Sequence, residues 1–221
     1  QSADGAVASF VASTGMQQAT KAGGVYHVQC LDKDGNLKWE DSMHNLVVNE
    51  GDTLVTGKTG AIHVRMNDTA FISVRPDTRL VVQSFVWNGK EDGLERAVFS
   101  LLRGGFRTIT GVIGRRTKEN YLVNTPTATI GIRGTDHEPH YIDVGDTTQG
   151  EPGTYNKVNV GETFIRTQGG TIELGANQTG FVAPQASAVP VRLDKTPDFM
   201  RGAPVPQGRA ELRNVRDNAG A

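Results

Sequence analysis

From residue 24 onward, hydrophobic side chains alternate with polar ones in short runs, a period that puts successive side chains on opposite faces of a β-strand. Turn residues such as Gly51-Asp52 and Asn88-Gly89 separate these runs. The pattern predicts an all-β protein, a sandwich, barrel or β-roll of many short strands. Only residues 93–102 are compatible with a helical turn. The predicted strands cover residues 25–31, 37–39, 46–48, 61–66, 71–74, 80–82, 99–102, 121–123, 129–132, 141–144, 157–160, 163–165, 171–174 and 180–182.

The two ends of the chain differ from this strand-rich middle. Residues 1–23 are small and polar around one apolar patch at residues 6–12, and we predict an N-terminal arm. Residues 24–48 read as an added hairpin, with its tight turn at Asp34-Gly35. Residues 49–184 are predicted to form the main β domain. Residues 185–221 are interrupted by proline and end in a charged stretch, which predicts an extended C-terminal arm and a disordered tail.

Composition narrows the functional classes. The chain has 221 residues, with 23 Lys and Arg against 24 Asp and Glu, which argues against a surface built mainly for nucleic acid. Its 27 glycines and 6% aromatic content fit many turns and short strands. The single cysteine, Cys30, excludes an intrachain disulfide, and we expect it to be buried on a strand. No run is long and apolar enough for a membrane helix. The start at Gln1 fits either signal-peptide removal or an arbitrary boundary.

The densest group of potential ligands is Asp136-His137-Glu138-Pro139-His140. A zinc helix needs two histidines four residues apart, whereas these are three apart with a proline between them. We therefore predict a polar loop leaving a strand. If the segment is a strand, Asp136, Glu138 and His140 share one face and His137 points to the other. No nucleophile motif is present, and no cofactor is expected.

A basic stretch without an acidic residue follows residue 102. Cationic residues at loop positions are often simply solvated, but a partner contact is the second interpretation. Nucleic acid is a poor candidate for that partner because no aromatic residues for base stacking lie between the basic ones. The candidate contact residues are Arg103, Arg107, Arg115, Arg116 and Lys118.

Three sequence blocks carry a family resemblance. They are residues 51–64, residues 68–78, and residues 102–135, in which Thr125-Pro126 precedes Ile130-Gly131-Ile132-Arg133-Gly134-Thr135. Over residues 49–182 the chain resembles the FecR domain, a bacterial extracytoplasmic module named after the iron-dicitrate transport regulator. The resemblance implies a sensing and binding module rather than an enzyme. Regulators of that family carry a sigma-factor-binding segment and a membrane span ahead of this domain. This sequence shows neither, so we expect a stand-alone exported member, periplasmic or extracellular.

Three functional hypotheses follow. The leading one is an exported, non-catalytic β module that binds a protein or other envelope partner. The second is a structural subunit of a surface assembly or filament, a homo-oligomer joined through its terminal arms, because an extended arm can complete the open sheet edge of a neighbour. The third is a metal- or carbohydrate-active enzyme that uses Asp136, His137, Glu138 and His140.

Overall fold

The computed structural model describes residues 6–14, 16–21, 24–29, 47–58, 61–90, 92–146, 149–185 and 187–201. Strands make up most of this part of the chain, so the all-β prediction is confirmed. In chain order they are β1 (Ala6–Thr14), β2 (Met16–Lys21), β3 (Gly24–Gln29), β4 (Val47–Asn49), β5 (Thr53–Thr56), β6 (Ala61–Met66), β7 (Phe71–Val74), β8 (Arg79–Val86), β9 (Arg96–Ile109), β10 (Tyr121–Asn124), β11 (Thr129–Ile132), β12 (Asp136–Ile142), β13 (Gly153–Val160), β14 (Thr163–Thr167), β15 (Gly170–Leu174), β16 (Thr179–Val182) and β17 (Val191–Leu193).

The strands form two sheets that share β9. Sheet I has the order β4-β1-β6-β7-β9-β12-β13-β16-β17. Sheet II has the order β3-β2-β5-β8-β9-β10-β11-β14-β15. These described pairings are antiparallel, apart from the parallel pair of β9 and β10. The prediction of many short, turn-separated strands fits this arrangement.

Strand β9 belongs to both sheets because it bends in the middle. Its first half pairs with β8 and β10 in sheet II, and its second half pairs with β7 and β12 in sheet I. Gly104 lies at the bend with φ of +71°, a conformation that glycine adopts readily and other residues rarely adopt. A Cβ at Gly104 would also overlap the Thr78 side chain and the Asp77 carbonyl. Gly104 therefore lets one strand pass from one sheet to the other.

The hydrophobic core lies between the sheets. Every second side chain along a strand points into this core. In β8, for example, Leu80 and Val82 are buried, whereas Arg79 and Gln83 are exposed. Burying each large apolar side chain contributes about 1.5–3 kcal/mol. The largest fully buried side chains are Leu54, Ile72, Leu80, Phe99, Leu101, Phe106, Ile113, Ile130, Ile132, Ile165 and Leu174.

A second, smaller apolar cluster lies on the other side of sheet I, which we call its outer face. Its buried members are Ile142, Tyr155, Phe181 and Met200. Met200 reaches this face through residues 187–201, here named the C-terminal strap, in which β17 is followed by a 3-10 turn at Asp198–Met200. A Thr179–Thr196 hydroxyl contact of 2.7 Å also holds the strap to the sheet. The strap thus covers part of the outer face.

The helix prediction was wrong in position. Residues 96–102 belong to β9, whereas the α-helix of the described chain, α1, spans Val112–Arg116. Asp68, in the turn before β7, stabilises the start of this helix. The Val112 N–H donates to the Asp68 carbonyl at 2.9 Å, and the Ile113 N–H donates to the Asp68 carboxylate at 3.2 Å. With five residues, α1 is far too short to cross a membrane, and no described helix is longer and apolar.

Several sequence predictions concern the ends of the chain. The residues predicted as an N-terminal arm include β1 and β2, which pair with β4 and β6 in sheet I and with β3 and β5 in sheet II. Cys30, the hairpin turn at Asp34-Gly35 and residues 202–221 lie outside the described residues. The domain boundaries stay predictions.

Candidate functional site

The acidic and histidine cluster lies in the interior of sheet I. Residues 136–140 belong to β12, between β9 and β13, so the prediction of a polar loop was wrong. The strand alternation expected for that segment is present. Asp136 and Glu138 bond side chains on the outer face, whereas His137 is buried in the core with no exposed surface. The charged residues were read as loop formers, but their partners on neighbouring strands let them remain in a sheet.

Six polar side chains on the outer face form what we call the ionic network: Arg75, Arg107, Asp136, Glu138, Lys157 and Asn159. Arg107 binds the Asp136 carboxylate through two nitrogens, with Nε donating to Oδ1 at 2.7 Å. The Glu138 carboxylate accepts a hydrogen bond from Arg75, and Lys157 Nζ lies 3.2 Å from Glu138 Oε1. The Asn159 amide donates to Asp136 at 3.1 Å and to Glu138 at 2.9 Å. The network therefore links β9, β12 and β13 with the end of β7.

The network holds three cations and two carboxylates, and little of it is exposed. Side-chain exposure is 4% for Glu138 and 24% for Lys157, with the other three charged side chains between them. Burial lowers the pKa of Arg75, and the neighbouring Arg107 lowers it further. The pKa of Lys157 is lowered first by burial and then by Arg75 and Arg107. The cations thus crowd one another in a setting where water screens them poorly.

The two histidines of the cluster have separate surroundings. His137 Nδ1 lies 2.8 Å from Asn156 Oδ1, and the Asn156 amide donates to Thr163 at 2.9 Å. Burial lowers the pKa of His137 to about 4. His140 lies on the outer face, with its ring centroid 5.0 Å from that of Phe199 in the strap. Burial, and then Arg75, lower the pKa of His140 to about 4.

These positions bear on the metal hypothesis. His137 faces the core, whereas Asp136, Glu138 and His140 face the other way, so the four residues do not form one ligand set. Within the described ranges, no three His, Cys, Asp or Glu side chains are grouped closely enough to hold a metal ion.

The five predicted contact residues occupy different environments. Arg107 is part of the ionic network, and Arg103 pairs with Asp77 at the start of the β9 bend. Arg115 and Arg116 lie exposed at the end of α1, and Lys118 begins a 3-10 turn at Lys118–Asn120. Their role in partner contact stays a prediction.

Sequence reasoning missed three members of the network: Arg75, Lys157 and Asn159. A signal was available in β13, where Lys157 and Asn159 are two residues apart and therefore share a face. Which strand lies beside β12 depends on long-range pairing, and the sequence alone did not provide that pairing.

A small cavity of about 150 Å³ lies at the far end of sheet II. Phe164 and Leu174 line it together with Arg133, Glu162, Glu173 and Arg192. Arg133 lies 3.2 Å from the Glu173 carboxylate and 3.9 Å from that of Glu162. The charged side chains of the cavity are exposed, and those of Arg133, Glu162 and Glu173 pair with one another, so the ionic network is the more constrained of the two polar sites.

Taken together, these features define a two-sheet β protein whose clustered charges are engaged with each other. Residues 52–151 match the family model described as FecR protein. This match confirms the resemblance to the FecR domain seen in the sequence. The match indicates a regulatory or sensing domain.

Two solved structures are similar to the chain. Both are crystal structures of one candidate anti-sigma factor from Parabacteroides distasonis ATCC 8503, at 1.65 and 2.50 Å resolution. Each is 12% identical to this chain, with a TM-score of 0.49 and 66% of the chain covered. The chain spans 60% of the length of those structures. Among curated proteins, none matches the chain significantly.

Proposed function

We propose that the chain is an exported, non-catalytic sensing module that binds a protein partner in the bacterial envelope. The observation that carries this proposal is the FecR match over residues 52–151. The chemistry of the polar site supports it, because Asp136 and Glu138 are held by cations and Asn159. Carboxylates fixed in this way are poor general bases, whereas such a network can present a defined charge pattern to another protein.

The test is to identify a partner and then reconstitute the complex. The tagged chain is produced in its source bacterium, cross-linked in intact cells and purified, and the cross-linked protein is identified by mass spectrometry. That protein is then purified and titrated with the chain by calorimetry. We expect saturable binding to one envelope protein. Substrate turnover by the pure chain, or cross-links confined to the cytoplasm, would contradict the proposal.

A second candidate function is a structural subunit of a surface assembly. The pairing of the N-terminal strands favours it, because β1 lies between β4 and β6 and so fills a position that a strand of another copy could also fill. Light scattering and electron microscopy of native material test this candidate. We expect ordered oligomers whose formation a synthetic peptide of residues 1–21 inhibits. A monomer at every concentration excludes it.

A further inference from the structure

The outer face of sheet I carries an apolar row beside the ionic network. Phe71 pairs with Ile109, Ile109 with Asp136, and Asp136 with Val160. Directly opposed residues project to the same side of a sheet, so Phe71, Ile109 and Asp136 form one row across three strands. Val160 lies beside Asp136 at a bulge in the pairing of β12 with β13. Ile109 is 40% exposed and Val160 is 62% exposed, unlike the apolar residues under the C-terminal strap. Ile109 and Val160 are thus exposed apolar side chains on either side of the Asp136 carboxylate, and Phe71 next to Ile109 is partly covered by the His63 ring.

The next row contains the charges. The register of β9 with β12 and of β12 with β13 places Arg107, Glu138 and Lys157 side by side. Their network has one more cation than carboxylates, and its side chains are largely withdrawn from water. An uncompensated cation is costly in such surroundings, whereas a further carboxylate binds guanidinium and ammonium groups through charge-assisted hydrogen bonds.

We propose that these two rows form a docking surface for an extended, acidic segment of a protein partner. One carboxylate of the segment lies against Arg107 and Lys157, and its apolar side chains pack on Ile109 and Val160. Side chains on one face of a strand recur at every second residue, as they do on one side of an extended segment, so alternating acidic and apolar side chains of the segment can meet the charged and apolar rows in turn. Exposed apolar side chains beside a carboxylate favour a protein segment over nucleic acid, whose binding depends mainly on contacts of basic residues with phosphates. This inference rests on the proposed partner-binding function and adds its location and chemistry.

A nuclear magnetic resonance titration tests the proposal on the full chain. The probe is a synthetic acetylated peptide, Val-Glu-Val-Asp-Val-amide, and its control replaces the acids with Gln and Asn. We expect the acidic peptide to shift the amide signals of Phe71, Ile109, Asp136 and Val160, and the neutral peptide to leave them unchanged. Added salt is expected to weaken the interaction.

Variants make the test specific. Lys157→Gln keeps Arg75 and Asn159 on Glu138, and it should weaken peptide binding about fivefold. Ile109→Ser with Val160→Ser should also weaken it. Matched controls in the C-terminal strap, Arg192→Gln and Val189→Ser, should have no effect. Circular dichroism of each variant checks that the fold is intact.

Several outcomes would overturn the inference. They are no shifts at this face, equal shifts with the neutral peptide, or stronger shifts at the same residues with a short DNA duplex. If the cross-linked partner binds but these signals do not move, the docking location is wrong while the proposed function stands. If the signals move with the peptide but no envelope partner is found, the proposed function is wrong and the surface stands.

Discussion

At the scale of single residues, the buried histidines make the stability of the protein depend on pH. His137 and His140 both have a pKa of about 4 in the fold, against 6.5 for the free side chain. The unfolded chain therefore binds more protons than the native protein between these values, so the free energy of unfolding falls as pH falls. The loss begins near pH 6.5, is complete near pH 4, and amounts to roughly 3 kcal/mol for each histidine. His63 acts in the same direction, because burial lowers its pKa too.

Urea denaturation at a series of pH values between 7.5 and 4.5 measures this effect. His140→Phe retains a ring against Phe199 and removes one of three titrating histidines, so the variant should lose about a third to a half of the pH dependence. The charged groups near His140 are Arg75 and Asp146. The Gln149 side chain forms a hydrogen bond with His140 and carries no charge. Equal slopes for the two proteins would show that His140 is not buried as a neutral side chain.

At the scale of elements, the bend of β9 depends on Gly104. Gly104→Ala introduces a Cβ at φ of +71° and against the backbone of Asp77 and Thr78, so neither the chain nor its neighbour can adjust easily. We expect a loss of about 3 kcal/mol or more in unfolding free energy. Gly134→Ala shares the positive φ but meets open space, and it should cost about 1–2 kcal/mol.

Gly145→Ala provides a further control, since it has neither the positive φ nor a close neighbour. It should leave the urea midpoint nearly unchanged. If the three variants lose equal stability, the close packing at Gly104 is not what fixes the bend.

The elements also show which parts of the structure the sequence could predict. Alternation identified β6, β7, β10 and β11 well, because each has one face in the core. It failed at β12, where Asp136 and Glu138 are stabilised by cations from other strands rather than by solvent. It failed again at α1, which begins where Asp68 from a distant turn accepts its first N–H groups. In both cases the deciding contacts are distant in sequence.

At the scale of the whole molecule, the C-terminal strap runs from β17, at the edge of sheet I, to a 3-10 turn that packs on β12 and β13. Phe199 packs between His140, at 5.0 Å, and Tyr155, at 5.2 Å between ring centroids. Met200 is 1% exposed, as deeply buried as the central core. The strap is therefore an integral part of the fold. It covers one part of the outer face, and the proposed docking surface is another, uncovered part of the same face.

Shortening Met200 tests that integration. Met200→Ala removes most of a buried side chain, so we expect a loss of about 2–4 kcal/mol in unfolding free energy by urea denaturation. Because the strap loses its main anchor, trypsin should also cleave at Lys195 faster than in the unmodified protein. Val189→Ala, at a side chain 64% exposed in the same strap, should change neither quantity. If Met200→Ala leaves both the urea midpoint and the cleavage rate unchanged, the strap contributes nothing to the stability of the sheet, and deeper packing between the two sheets must account for all of it.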